Sequence, residues 1–439
     1  MDNSGMFVGL DIGTTSIKVI VAEYVKGQMN VIGVGNERSE GLNRGVIVDI
    51  DKAVAAIKSA VRQAEEKASI QIQNVVVGIP ANMLSIEPCN GMITIDDQAR
   101  EINDRDVQNV SLSALTQNLP PEREVIDLQA EEFVVDGFDG IKDPRAMVGV
   151  RLEMHGMLFT GAKTVIHNTR KAVEQAGLTI ETMIVSPLAQ GKTIMSDGEQ
   201  DFGTILIDLG GGETTAAVIH DHRLKYTYTD DEGGAYITRD ISVVLNTSLE
   251  NAEKIKRDYG YADSLQASDD NEFPVEVVGQ SQPTQISERY LAEIIEARVG
   301  QIFENVKQHL TGIGALKLPG GIVLTGGVAA LPGIADLAAD TFDVNVRVYI
   351  PDQMGLRHPS FTQALSLVTY RGQMSEIDLL VKSAANGTGT IQFNNSDQFA
   401  APQQSGKRRR EQPAKKERPK KEKKDRAQGI KSFFSDFFD

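Results

Sequence analysis

An aspartate that closes a short apolar strand and runs at once into a glycine turn occurs twice in this chain, and no other feature restricts the fold as much. The first copy is Phe7-Val8-Gly9-Leu10-Asp11-Ile12-Gly13, which passes through Thr14, Thr15 and Ser16 into a second apolar run, Ile17 to Ala22. The second copy ends on Asp208 and continues through Gly210, Gly211 and Gly212 to Thr214, Thr215 and the apolar run from Ala216 to Ile219. Two such strand–turn–strand units 197 residues apart imply two related halves. A third buried strand, 322–325, meets its own turn at Gly326 and Gly327.

The three turns share a chemistry. Glycine lets backbone N–H groups approach an anion closely, and Thr or Ser hydroxyls add donors, so each turn suits a phosphate. An acidic residue beside a phosphate cradle makes sense when a Mg²⁺ lies between them, which casts Asp11 and Asp208 as cation-side carboxylates. Lys18 is placed to reach a β- or γ-phosphate. There is no GxxxxGK[ST] loop and no GxGxxG after a strand, so neither a Walker A site nor a dinucleotide fingerprint is present.

The texture between the turns gives an α/β fold. A third strand is expected over 29–36, an amphipathic helix over 49–68 from Val54, Ile57, Val61 and Ala64, and a buried strand over 74–80. From 82 to 162 short alternating strands (92–95, 125–132, 147–154) and a charged helix within 103–118 read as an inserted α+β subdomain. Residues 163–182 return to a helix ended by Gly177. Helical periodicity dominates 236–310, broken by a polar loop at 262–284, and another helix is expected over 329–340. Past 382 the periodicity gives way to Asn, Gln, Ser, Gly and Pro and then to charge, the composition of a disordered linker.

Charge divides the chain in two. The formal net charge is −16, from 45 basic and 61 acidic residues. Residues 407–426 hold 12 basic and 4 acidic side chains, a local +8, and 427–439 contribute −1, so 1–406 carry −23. The final residues set Ile430, Phe433, Phe434, Phe437 and Phe438 at i, i+3, i+4, i+7 and i+8, an unbroken apolar stripe. Eleven residues are too few for a helix in water, where ~12–15 is marginal, so this one must fold on a surface that accepts the stripe. Five partly buried side chains at ~1.5–3 kcal/mol each supply roughly 5–8 kcal/mol before ordering costs, and each basic residue near an anionic leaflet adds about 1 kcal/mol. An anionic membrane surface is therefore the expected partner of the tail. Nucleic acid is not, because the basic run lacks interleaved aromatics and the body is acidic. A 46-residue linker over 383–428 has a coil span of roughly 35–40 Å. The single cysteine, Cys89, and the lack of a leader or of any run of ~18 apolar residues suggest a cytosolic chain that meets the membrane from one side. The six histidines show no metal-site spacing.

GLDIGTTSIKV at 9–19, IDLGGGETTAAV at 207–218 and LTGGVAALPGI at 324–334 resemble the phosphate-1, phosphate-2 and adenosine motifs of the actin, heat-shock chaperone and sugar-kinase superfamily. The 82–162 insertion, GGAYITRDIS at 233–242 and the terminal stripe are similar to the FtsA family of bacterial cell-division proteins. The resemblance implies an actin-like fold of two related halves around a nucleotide cleft. It divides the chain into subdomain 1A (1–82 and 163–195), the inserted 1C (83–162), 2A (196–232 and 311–382), 2B (233–310), a basic linker (383–428) and a membrane-targeting helix (429–439).

It further implies ATP with Mg²⁺ held by Gly13, Thr14, Thr15, Ser16, Lys18, Gly210, Gly211, Gly212 and Thr214, with Gly326, Gly327 and Val328 at the adenosine. Glu253 and Lys256, at i and i+3 on one helix, match positions that contact adenine or ribose. Polymerisation, contacts of the insertion with later division proteins, and binding of the C-terminal tail of the tubulin-like FtsZ near Arg289 and Arg298 follow from the same resemblance, at the cytoplasmic membrane face of the division site. Relatives carry a water-orienting carboxylate or amide on the helix that links the halves. Here that stretch, Ser186 to Gly191, has no carboxylate before Pro187, so tight ATP binding with weak hydrolysis is expected and Gln190 is the candidate for that role. A sugar kinase and a pilus-assembly or cell-shape homologue share the turns, but the inserted subdomain is too small for a sugar pocket and a kinase has no use for the anchor, while the insertion and a C-terminal rather than N-terminal anchor separate this chain from the other two.

Overall fold

The structure is a computed structural model that describes residues 5–385, apart from 26, 96–98 and 117–118. The terminal helix expected over 429–439 lies outside the described residues, as does the linker beyond 385.

The first Asp strand, Gly5–Ile12, turns at Gly13 and runs back as Ser16–Val25, which pairs in turn with Gln28–Arg38. On its other side Gly5–Ile12 pairs in parallel with Asn74–Ile79, and that strand with Thr179–Val185. The second Asp strand, Thr204–Leu209, repeats the scheme. It pairs antiparallel with Thr214–His220 and through it with Arg223–Asp230, and parallel with Ile322–Thr325 and through it with Val346–Val348. The two five-stranded sheets thus share one strand order, and the duplication read from two turns extends to whole sheets.

Each central strand is apolar on both faces because both faces are covered. In Ser16–Val25, Val19 and Val21 join the core beneath the helix Ile50–Ala68, whereas Ile20 and Ala22 pack on the other side against Ala364, Leu365 and Val368. Asp49 caps Ile50–Ala68 by accepting from the Lys52 N–H at 3.2 Å. The second sheet buries Ile205, Ile207 and Leu209 against Phe303, Val306 and Leu310 of the long helix Glu288–Gly312.

Two helices carry the chain from one half to the other. Ser186–Ile194 leaves the first sheet and rests on the second, where a Cβ added to Gly191 would meet Ile219. Thr362–Gln373 leaves the second sheet and lies on the first, and the two helices pack together.

The insertion is a four-stranded antiparallel sheet, Phe138–Ile141, Arg123–Val135, Arg151–Ala162 and Ser85–Thr94, packed with the helix Asp104–Ala114. Three expectations need correction. Gly177 at φ 89° stops the helix as expected, after Gln175, but residues 179–182 of the stretch read as helical belong instead to Thr179–Val185, the outer strand of the first sheet. The polar stretch 262–284 contains a strand, Glu272–Val275, that pairs with Thr284–Ser287. The linker begins later than 383, because the helix Glu376–Ala385 packs on the insertion, placing Val381 in its core and pairing Lys382 with Asp127.

Candidate functional site

The duplicated strands bring their aspartates to facing edges of a cleft of about 1210 Å³. A Cβ at Gly211 would lie 2.3 Å from Thr15 Oγ1 and one at Gly212 2.4 Å from Thr14 Cγ2, so the two turns interlock only because those positions have no side chain. Asp11, Gly13, Thr14, Thr15, Ser16 and Lys18 line one wall and Asp208, Gly210, Gly211 and Gly212 the other, with Gly326, Gly327 and Val328 also lining the cleft and Gly326 against Asp208. Thr214 does not line the cleft. It is fully buried and its hydroxyl donates to the Glu232 carbonyl at 2.9 Å, while Thr215, paired in register with Asp208, faces the cleft.

Asp11 is 4% exposed. Burial, opposed by Lys18 at 3.7 Å and reinforced by the Asp208 charge, raises its carboxyl to about 6. Burial also raises Asp208, against a hydrogen bond from Gln190 Nε2 at 2.6 Å. Lys18 Nζ donates to Ser16 Oγ at 2.7 Å. No cluster of three or more metal-ligating side chains occurs among the described residues. Two buried, mutually repelling carboxylates beside hydroxyl-bearing turns fit a hard divalent cation that completes its shell with phosphate oxygens and water.

Glu253 and Lys256 sit on the cleft wall. Lys256 Nζ donates to the Gly234 carbonyl at 2.9 Å and to Thr238 Oγ1 at 2.8 Å, and pairs with Glu253 at 2.6 Å. Burial pulls the Lys256 ammonium down from its ordinary range; it also opposes Glu253 ionisation, but Lys256, the Thr238 hydroxyl and Arg257 together outweigh it there and hold that carboxylate below its usual value.

The two arginines read as partner contacts lie away from the cleft. Arg289 pairs with Asp269 at 2.8 Å. Arg298 forks onto Asp240 at 2.5 and 3.0 Å and reaches Glu232 at 2.8 Å, so its guanidinium ties its helix to neighbouring elements.

Three groups escaped the sequence reading. Gln363 Nε2 donates to Asp11 Oδ1 at 2.9 Å and to Ser186 Oγ at 3.0 Å. Glu213 reaches across the cleft mouth to accept from Asn82 Nδ2 at 2.6 Å, and burial raises it to about 7. Arg44, on the same side as Asn82, donates to Asp231 at 2.9 Å and to the Tyr236 hydroxyl at 2.8 Å. The duplication held a signal for Gln363: Ser186-Pro-Leu-Ala-Gln190 and Pro359-Ser-Phe-Thr-Gln363, which follow the last strand of each half, each combine a Ser and a Pro with a closing Gln.

The sequence profile of the cell division protein FtsA matches residues 205–366, and that of the SHS2 domain inserted in FtsA matches 81–160. The cell division protein FtsA of Enterococcus hirae is 54% identical over 449 aligned positions that span the whole of both chains. Among solved structures, the PilM–PilN type IV pilus biogenesis complex is similar at TM-score 0.56 and 17% identity, covering 84% of this chain and 99% of that one. MreB5 of Spiroplasma citri bound to ADP is similar at TM-score 0.53 and 14% identity, covering 84% and 96%. The fold is therefore that of the actin-like class, two related halves around a cleft with an inserted subdomain. Within that class the chain belongs to the FtsA family of cell-division proteins.

Proposed function

We propose that this chain binds Mg-ATP in the cleft, polymerises, and tethers the tubulin-like division protein FtsZ to the cytoplasmic face of the membrane through its C-terminal helix, with the insertion meeting later division proteins. The observation that carries the nucleotide part is the pair Asp11 and Asp208 on interlocked glycine turns. The residues that would hold the cation are these two. Gly13 to Ser16, Lys18 and Gly210 to Gly212 would hold the phosphates, and Glu253, Lys256 and Gly326 to Val328 the nucleoside. The bound ion would screen phosphate charge as a Lewis acid.

Gln190 is engaged with Asp208, which supports slow turnover. The family supports a role in division, and the basic run followed by the Phe stripe supports membrane attachment. The subdomain scheme 1A, 1C, 2A and 2B belongs to this same reading. Among the described residues no helix is long and apolar enough to cross a membrane.

Two measurements test the reading. Purified protein should bind ATP tightly yet turn over slowly; many turnovers per second without partners would refute it. Phe433→Glu with Phe437→Glu should abolish co-sedimentation with anionic vesicles, and unchanged binding would sink the anchor. For the FtsZ tail, charge reversal at Arg289 and Arg298 should weaken binding, and undiminished binding would exclude that site.

A further inference from the structure

A carboxylate oxygen only accepts hydrogen bonds, so the side chain 2.9 Å from Asp11 Oδ1 must present its NH₂ to it. That group is the carboxamide of Gln363, and its Nε2 also donates to Ser186 Oγ at 3.0 Å. One amide therefore joins the cation-facing carboxylate of the first half to the first residue of the helix Ser186–Ile194. One turn further along that helix Gln190 holds Asp208. The site leaves room for the contact: a Cβ at position 78 would stand 2.8 Å from Ser186 Oγ and 3.4 Å from Gln363 Nε2, and the residue there is glycine.

We infer that Gln363 is a positioning residue for the cation: through it, one short helix fixes the aim of both Asp11 and Asp208. The inference rests on the nucleotide reading of the cleft. Gln363 lies 352 residues from Asp11 and arrives on the helix that has crossed from the second half. Any shift of the two crossing helices against each other, which Thr193 and Ser366 also link at 2.8 Å, alters the geometry offered to the ion. Partners that orient a metal-binding side chain typically account for ~10–100-fold in metal affinity.

The test compares ATP affinity by calorimetry in Mg²⁺ and in EDTA for the full chain, Gln363→Met and Ser186→Ala, with thermal midpoints recorded for each. Gln363→Met keeps the length and removes both donations. It should cut the Mg²⁺-dependent gain in affinity by ~10–100-fold and leave the EDTA affinity unchanged. Ser186→Ala keeps the Asp11 contact and should lose a smaller part of that gain. A Gln363→Met protein that retains the full gain, or that loses affinity equally in Mg²⁺ and EDTA, overturns the inference. Wild-type protein that binds no ATP in either buffer refutes the underlying nucleotide reading instead, and wild-type binding indifferent to Mg²⁺ refutes the cation role of Asp11.

Discussion

Lys382 and Asp127 form an ion pair with 4% and 1% of their surfaces exposed, where the helix Glu376–Ala385 packs on the insertion. Lys382→Met removes the cation and strands the carboxylate with one remaining donor, the Leu128 N–H at 2.9 Å. An unpaired buried charge costs about 3–5 kcal/mol. The carboxyl can escape by taking a proton, at about 1.36 kcal/mol for each unit between an ordinary value near 3.9 and the solution pH. That route costs about 5 kcal/mol at pH 7.5 and about 2 kcal/mol at pH 5.5, and the cheaper route sets the loss.

The sign follows from linkage. The docked variant holds a proton that the opened form releases, so the penalty grows as pH rises above the ordinary carboxylate value. Hydrogen–deuterium exchange of a peptide covering 376–385, corrected for intrinsic rates, reads the opening directly. Protection in Lys382→Met should fall about 10²–10³-fold at pH 7.5, and much less at pH 5.5. Lys382→Met with Asp127→Leu should restore protection at both pH values, since an apolar pair of similar volume replaces a buried ion pair at little cost. Protection within twofold of wild type in the single variant at pH 7.5, or a loss independent of pH, would refute the reasoning.

Glu213 gives a second pH signature. Its carboxyl is raised to about 7, so the folded protein favours the protonated form, and this group subtracts stability as pH rises from the ordinary glutamate range to about 7. Glu213→Gln should remove up to about 3 kcal/mol of that loss and flatten the thermal midpoint between about pH 4.5 and 7 by one group's share. Arg298→Ala leaves Asp240 and Glu232 without their shared partner and should lower stability by about 1–3 kcal/mol in thermal melts, so any loss of partner binding in that variant must be compared with Arg289→Ala. Burial pushes the Cys89 thiol up to about 12, so alkylation should be negligible in native protein and complete in denaturant.

The parts of the site that sequence made legible are those whose geometry is local. Asp11 and Asp208 end strands whose apolar runs are plain, and the glycines follow at once. Thr214 and Thr215 show where that reading stops: both carry hydroxyls, and only the register that sets Thr215 opposite Asp208 decides which faces the cleft. The spacing of Glu253 and Lys256 put them on one helix face but could not say that this face is a cleft wall. Glu213 and Asn82 meet across 131 positions of sequence, and no local pattern encodes such a contact. The strand Thr179–Val185 was hidden because its apolar run follows a helix stop within a few residues, and the Glu272–Val275 hairpin because the strand has only four residues, one of them Pro274, set in a polar stretch.

The crossing helices make the two halves a woven body. Ser186–Ile194 grows out of one sheet and braces the other, and Thr362–Gln373 returns the gesture. Severing the chain between the halves would give two pieces, each stripped of a wall that its counterpart owns, so neither is a self-sufficient module. Any opening of the cleft would have to move these two helices against each other, so the Thr193–Ser366 contact at 2.8 Å stands where such a motion would be resisted.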